Sequence, residues 1–256
     1  MKPVSWYKSL ALPKNRRQYG YFLIEGKRAV DQVLTYHPGS VDELLCIDEA
    51  SSSTPLPDDI PVRKVSDANM KSICSSKTPQ GIAALVRIPP DAYTSKVPEQ
   101  SSPGGSVLLL EHIQDPGNVG TLIRTAAAFG VGGVILTDRC ADPFSPKAVQ
   151  STAGSVLSLW VRKTDRYLPM VDELRGFGYR LVAADLDGSD PLCFSDAAPH
   201  ILALGGEGAG LTADVLDRCD CRVRIPIMPS GAESLNVAAS GAIFMFIMSA
   251  GRLSRG

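Results

Sequence analysis

From residue 107 onward, short apolar runs alternate with stretches of helical spacing, and this alternation restricts the fold more than any other feature of the chain. The pattern predicts strands at Val107–Glu111, Gly133–Thr137, Tyr179–Ala184, Ile201–Leu204 and Arg222–Ile227, with a short one at Leu159–Val161. Helices are predicted over Val119–Phe129, Pro146–Leu157, Leu168–Phe177, Ala213–Cys219 and Leu235–Leu253. Strands that are apolar on both faces and separated by helices imply an α/β fold, a parallel sheet covered on both sides.

A break precedes this region. Pro89–Gly105 reads PPDAYTSKVPEQSSPGG, with four prolines, paired glycines and few apolar side chains. Such a composition predicts a linker. It separates residues 1–90 from residues 105–256, with 91–104 between them. The first part also alternates: Phe22–Ile24 short and apolar, Gly26–Leu34 helical, strands at Val41–Ile47, Ile60–Val65 and Gly81–Ile88, and a helix capped by Ser66. That predicts a small α/β domain with no reactive constellation.

Through Val30 the chain carries seven basic residues (Lys2, Lys8, Lys14, Arg16, Arg17, Lys27, Arg28) against Glu25 alone. The arm is therefore +6 on a chain of net charge −1, which leaves −7 for the remainder. A basic arm suits phosphate contacts, and equally a solvated terminus. The first residues show positive charge without an apolar stretch behind it, so a secretory signal is not expected. The longest apolar run, Ala238–Ala250, falls short of the ~20 residues of a membrane span. The cytoplasm is the expected compartment, with no membrane partner. Cys46, Cys74, Cys140 and Cys193 are scattered and Cys219-x-Cys221 is the only close pair; with no CxxC, and histidines only at 37, 112 and 200, neither a disulfide framework nor a metal site is expected.

Ligands of open α/β sheets bind beyond the carboxyl ends of the strands, and three loops there stand out. The first, Glu111–Arg124, holds the turn signal Asp115-Pro116-Gly117, then Asn118 at a predicted N-cap, then Arg124 within the helix. Asn118 is read either as a cap or as a site residue; an arginine in early helical turns is less ordinary, because the macrodipole there disfavours cations. The second, Leu204–Leu211, packs four glycines around Glu207. It fails the dinucleotide fingerprint, since one required glycine offset always falls on Glu207, Leu211 or Ala213, and it has no phosphate-loop lysine. Glu207 would repel a pyrophosphate, so a neutral or cationic ligand fits better; a plain strand-to-helix turn stays open. The third, Arg224–Val237, runs through Pro and Gly into Ser234-Leu235-Asn236, where Ser234 or Asn236 serves as a cap or a site residue.

The ordered set NxGxxxR, GxEGxG and IP…SLN resembles the SpoU (TrmH) family of RNA 2′-O-ribose methyltransferases, within the SPOUT class, over about residues 105–253. DPFSPKAVQSTAGSV, residues 142–156, is similar to the segment that family carries between its first two motifs, and FLIEGKRAVDQVL to the opening of its RNA-binding domain. The resemblance implies a parallel-sheet SPOUT domain with a C-terminal deep trefoil knot, preceded by the small α/β RNA-binding domain. It implies a homodimer, and S-adenosylmethionine held around Leu204, Gly205, Gly206, Ile225, Ile227 and Leu235. The third motif is one residue longer than the family pattern, with Pro229 the extra residue, which leaves the path of Met228–Glu233 open.

By the same resemblance Arg124 is the central catalytic residue. An arginine stays protonated, so its expected role is to hold a phosphate and stabilise the forming alkoxide rather than to act as base. Asn118 is expected to orient Arg124 or the ribose, while Glu207, Ser234 and Asn236 fix the loops and the sugar. Ribosomal RNA is the expected substrate and transfer RNA the alternative; a non-catalytic RNA-binding member of the family is the competing class, and no metal is expected. The apolar content of the last helix, with Ile243, Phe244, Phe246 and Ile247, predicts that it lies at the dimer interface.

Overall fold

The computed structural model describes residues 2–47, 59–98, 105–189, 198–228, 230–231 and 233–253. Two compact units share the chain: Met1–Pro90 with Asp142–Ser158, and Asp91–Ala141 with Leu159–Gly256. No described helix is long and apolar enough to cross a membrane.

The first unit begins with two short helices, α1 (Val4–Ser9) and α2 (Pro13–Tyr19). There follow β1 (Tyr21–Glu25), α3 (Lys27–Tyr36), β2 (Val41–Cys46), β3 (Val62–Lys64), α4 (Asp67–Ile73) and β4 (Ile82–Arg87). The sheet runs β1-β4-β2-β3, antiparallel except for the parallel β2–β3 pair. Ser66 caps α4 as its sequence predicts, its hydroxyl accepting the Asn69 N–H at 3.2 Å. The basic arm is not an extended tail: α1 and α2 are helical, and Tyr7 and Leu10 are buried with Met70 and Leu85. Arg16 is only 1% exposed. Its guanidinium donates to the carbonyls of Leu10 and Ala11, each at 2.8 Å, and to the Asp142 carboxylate at 2.6 Å. Lys2 lies over the rings of Trp6 and Tyr21. Part of the positive charge is thus spent on folding.

Asp142 opens a segment that the linear sequence places between two strands of the other unit. Phe144 packs on Phe22 with ring centroids 5.1 Å apart, and Ser158 lies 3.3 Å from the His37 ring. A helix over Pro146–Thr152 and a single 3-10 turn over Ser155–Leu157 replace the one longer helix predicted there, because Ala153 and Gly154 turn left-handed between them.

The second unit comprises β5 (Val107–Glu111), α5 (Pro116–Ala128), β6 (Gly133–Thr137), β7 (Trp160–Thr164), α7 (Tyr167–Gly176), β8 (Arg180–Ser189), β9 (His200–Gly205), α8 (Ala213–Leu216), β10 (Cys221–Val223) and α9 (Val237–Leu253), with α6 being the Pro146–Thr152 helix already met. Its six strands are ordered β10-β8-β9-β5-β6-β7 and every pair is parallel. One face of the sheet, through Leu109, Ile135, Leu181 and Ala203, buries Met170, Val171 and Leu174 of α7 and Val215 of α8. Against the opposite face α9 comes very close: a Cβ on Gly241 would sit 2.3 Å from Leu122 of α5 and 2.8 Å from Leu204 of β9.

Residues read as linker are docked at their start. Ala92 is buried and its carbonyl accepts the Lys163 N–H at 2.8 Å, while Arg162 donates to the Lys96 carbonyl at 2.9 Å. That strap covers the open edge of β7, where unpaired N–H and C=O groups would otherwise face outward. Other boundaries shift for local reasons. α5 starts at Pro116, three residues before the predicted start, because Asp115 takes the N-cap and proline at N1 lacks the N–H a helix start leaves unused. Strand β10 stops at Val223, short of the predicted Ile227; its register to β8 slips between Arg222 and Val223, and Pro226 has no ladder donor. Pro229, the extra residue of the third motif, lies outside the described residues.

Candidate active site

Strand β5 is the pivot. The chain leaves it toward β6 on one side and later returns to lay β9 on its other side, so the loops after β5 and β9 diverge at a topological switch point. Glu111 and Gly205 are register partners at the carboxyl ends of the two strands. The first and second motifs therefore begin side by side, although 89 residues separate Asn118 from Glu207.

Three of the predicted site residues close a hydrogen-bonded triangle. Asn118 donates its amide to Glu207 at 2.8 Å. Asn236 donates to Glu207 at 3.0 Å and to the Asn118 amide oxygen at 3.2 Å. The oxygen of Asn236 meanwhile accepts the N–H groups of Ala238 at 2.9 Å and Ala239 at 3.3 Å, which caps α9. Asn236 is thus both cap and site residue. Asn118 is not the cap expected of it: Asp115 accepts the Asn118 N–H at 2.9 Å and leaves the Asn118 side chain free to cross to the second loop.

Arg124 stands on α5 about one and two-thirds turns beyond Asn118. It is exposed and, among the described residues, forms no hydrogen bond or ion pair. The expected pairing of Asn118 with Arg124 is therefore absent here, since both ends of the Asn118 amide are engaged with Glu207 and Asn236. Ser234 is exposed and makes no described hydrogen bond, so it stays outside the triangle.

Of the residues assigned to the cofactor, Leu204 is buried in β9, and Gly205 and Gly206 open the loop behind it. A Cβ on Gly206 would lie 2.8 Å from the His112 carbonyl oxygen, so only glycine allows the two backbones this approach. Gly206 and Gly210 bridge each other across the loop. Ile225 and Ile227 are half-buried in the extended stretch after β10, and Leu235 is 37% exposed. By composition, two glycines and four aliphatic side chains with the Glu207 carboxylate between them in sequence suit a nucleoside bearing a cation rather than a pyrophosphate. No three His, Cys, Asp or Glu side chains are grouped to hold a metal ion among the described residues.

Sequence reasoning passed over the support beneath these loops. Glu111 is fully buried, and its carboxylate accepts the Thr212 N–H at 2.7 Å, the Thr212 hydroxyl at 2.8 Å and the Tyr167 hydroxyl at 2.6 Å. Burial, reinforced by the bond to Glu111, pushes the Tyr167 phenol up to about 12, which keeps it a donor. A signal was present: an acid closing the run Val-Leu-Leu-Leu ends in a sheet interior, where a charge persists only with partners. His112 adopts φ of +59°, and its N–H donates to Thr137 Oγ1 at 3.0 Å. The Ile113 N–H donates to Cys140 Sγ at 3.3 Å, and the buried Lys163 ammonium ties the carbonyls of Thr137, Asp138 and Cys140 together.

Comparison with known proteins bears on both units. Residues 105–246 match the SpoU rRNA Methylase family, and residues 4–84 match the MRM3-like substrate binding domain. The 23S rRNA (guanosine(2553)-2′-O)-methyltransferase RlmP of Bacillus subtilis is 35% identical over 94% of this chain and 93% of its own length. The AdoMet-bound rRNA methyltransferase of Sinorhizobium meliloti superposes with a TM-score of 0.82 at 26% identity, covering 97% of this chain and 94% of that one. The SpoU methyltransferase AviRb of Streptomyces viridochromogenes, in complex with AdoMet, does so with 0.81 at 25%, covering 98% of each. With its three motifs converging on one switch point of an all-parallel sheet and a substrate-binding unit before them, this chain belongs to the SpoU rRNA methylase family.

Proposed function

We propose that this protein transfers the methyl group of S-adenosylmethionine to a ribose 2′-hydroxyl of RNA. The observation that carries the reading is the Asn118–Glu207–Asn236 triangle, which draws all three motif loops together on the strand that also feeds Arg124. Similarity to RlmP along 94% of the chain favours ribosomal RNA over transfer RNA, and a methylation assay offering both decides between them. Leu204, Gly205, Gly206, Ile225, Ile227 and Leu235 would hold the donor. When bound, the donor supplies a methyl group made electrophilic by its sulfonium.

The protein's part is placement and charge. A ribose hydroxyl is a weak nucleophile at neutral pH, so bringing it in line is the main task. The Arg124 fork holds the neighbouring phosphate and stabilises negative charge as it develops on the 2′-oxygen, while the proton leaves to phosphate or water. The triangle sets the distance between the helix bearing Arg124 and the donor loop. Ser234 joins through the sugar.

Residues 4–84, with their MRM3-like match, would recognise the RNA. The functional form would be a homodimer joined through α9, whose Ile243 and Phe246 are 38% and 56% exposed. A C-terminal trefoil knot is part of the same reading, supported by the return of α9 onto α5 and β9 after the chain has laid down β10 at the far edge. The scattered cysteines favour the cytoplasm.

Arg124→Ala tests the reading. Single-turnover methylation should fall ~10²–10³-fold, while calorimetric donor affinity stays near wild type. Arg124→Lys should restore little, because a point charge does not reproduce the fork. Near-normal methylation by Arg124→Ala removes that residue from the mechanism, and a loss of donor binding in the folded variant places it in the donor pocket instead.

A further inference from the structure

We infer that Glu111 is the positioning residue that clamps both ends of the donor-binding loop, and that donor affinity depends on this clamp. The inference rests on the assignment of the donor to Leu204–Gly206.

Glu111 meets the loop twice. Its backbone pairs with Gly205 at the last rung of the β5–β9 ladder, where the loop departs. Its side chain holds Thr212, where the loop ends. Residues 206–211 therefore leave and return to a single residue, and the bridge between Gly206 and Gly210 closes the loop on itself. Thr212 stands at the N-cap of α8, yet its hydroxyl makes no cap bond to that helix. The hydroxyl is turned to Glu111 instead, forgoing a helix cap in favour of the clamp.

A charge at this depth carries a desolvation cost unless each oxygen is engaged. Here one oxygen takes the Thr212 N–H, the other takes the Thr212 and Tyr167 hydroxyls, and all three partners are donors. Charge-assisted bonds of this kind are roughly twice as strong as neutral ones. They also stiffen the segment they hold, so a ligand pays less ordering entropy on binding. Glu207 rides on the clamped loop, which ties the same carboxylate to the position of the Asn118–Glu207–Asn236 triangle. Glu111 touches neither substrate nor donor in this account; it acts through the loop.

The test uses the full-length protein, S-adenosylmethionine as calorimetric probe, and methylation at saturating donor. Glu111→Leu, close in size and without acceptors, strands three donors and should weaken donor binding ~10–100-fold. The rate at saturating donor should fall as well, because Glu207 of the triangle rides on the same loop, while Thr212→Ser keeps both affinity and rate. Thr212→Val removes one donor without changing shape and should weaken binding about tenfold, whereas Thr212→Ser keeps both donors and should bind as wild type does. If Glu111→Leu fails to fold, the Thr212 pair decides. Wild-type donor affinity in Glu111→Leu and Thr212→Val overturns the clamp, as does a Thr212→Ser variant as weak as Thr212→Val. A wild-type protein that binds no donor overturns the assignment beneath it, so the two failures are distinct.

Discussion

Asn236 does two jobs with the two ends of one amide, and substitution separates them. Its oxygen caps α9 through Ala238 and Ala239, and its nitrogen donates to Glu207 and Asn118. Asn236→Ala removes both. The lost cap costs ~1 kcal/mol, and the lost bonds to Glu207 and Asn118, being exposed, add about 0.5 kcal/mol. A chain of this size should then melt a few degrees lower, at ~2–4 °C per kcal/mol. Asn236→Asp keeps the cap and gains ~0.3–1 kcal/mol from a carboxylate at a helix N-terminus. It also sets two like charges at the 3.0 Å separation now bridged by a hydrogen bond. Their repulsion is about 1.4 kcal/mol at a water-like dielectric and several-fold larger in a drier site. Exposed carboxylates relieve it by swinging apart, which opens the triangle at small cost in stability. Asn236→Asp should therefore melt within about 2 °C of wild type, while its methylation rate falls as far as that of Asn236→Ala. Differential scanning calorimetry and single-turnover methylation on the same preparations read both quantities. An active Asn236→Asp would show that the Asn236–Glu207 bond is dispensable, and equal melting losses in the two variants would show that the cap is not what Asn236 contributes to α9.

Gly206→Ala should weaken donor binding by at least about tenfold, because its Cβ would stand 2.8 Å from a backbone oxygen that has no room to yield; unchanged calorimetric affinity refutes this. Asp142→Ala should destabilise the protein by ~3–5 kcal/mol in urea titration, since it leaves the buried Arg16 guanidinium without its counter-charge, and a loss under about 1 kcal/mol would mean that the two carbonyl partners suffice. Tyr7 and Tyr167 both have their phenols raised from 10.0 to about 12, by burial first and then by hydrogen bonds to Glu43 and Glu111. Their contribution to stability is fully present below pH 10 and disappears as pH climbs toward about 12. The urea midpoint should fall across that window and fall less in the double Phe variant; identical profiles would contradict the assignment.

The parallel strands were legible because a strand buried on both faces must be apolar at every position, and Val107–Leu110 and Ile201–Leu204 are. The site was legible through motif order, which places Asn118, Glu207 and Asn236 near one another without saying how they bond. The dual use of Asn236 and the idle state of Arg124 depend on three loops meeting, which no local window contains. Helices α1 and α2 were missed because six and seven residues carry too little periodicity, and because Arg16, read as a surface cation, is buried by a partner 126 residues away. Asp115 is different: Asp-Pro is a helix-start signal in plain sight, and it puts the N-cap at Asp115 rather than at Asn118.

The membership of Asp142–Ser158 in the first unit bears on how such proteins can be recombined. A boundary drawn at the proline-rich stretch looks like a single seam, yet the aromatic contact between Phe22 and Phe144 and the ion pair of Arg16 with Asp142 both lie inside one unit made of two pieces of chain. A chimera that exchanges residues 1–90 alone mates a foreign half-core with a native insert. Transplanting recognition from one relative to another therefore takes two exchanges made together, the leading segment and the insert, much as a lock is moved with its strike plate. Within a lineage, the same coupling should make substitutions at positions 16 and 22 track those at 142 and 144.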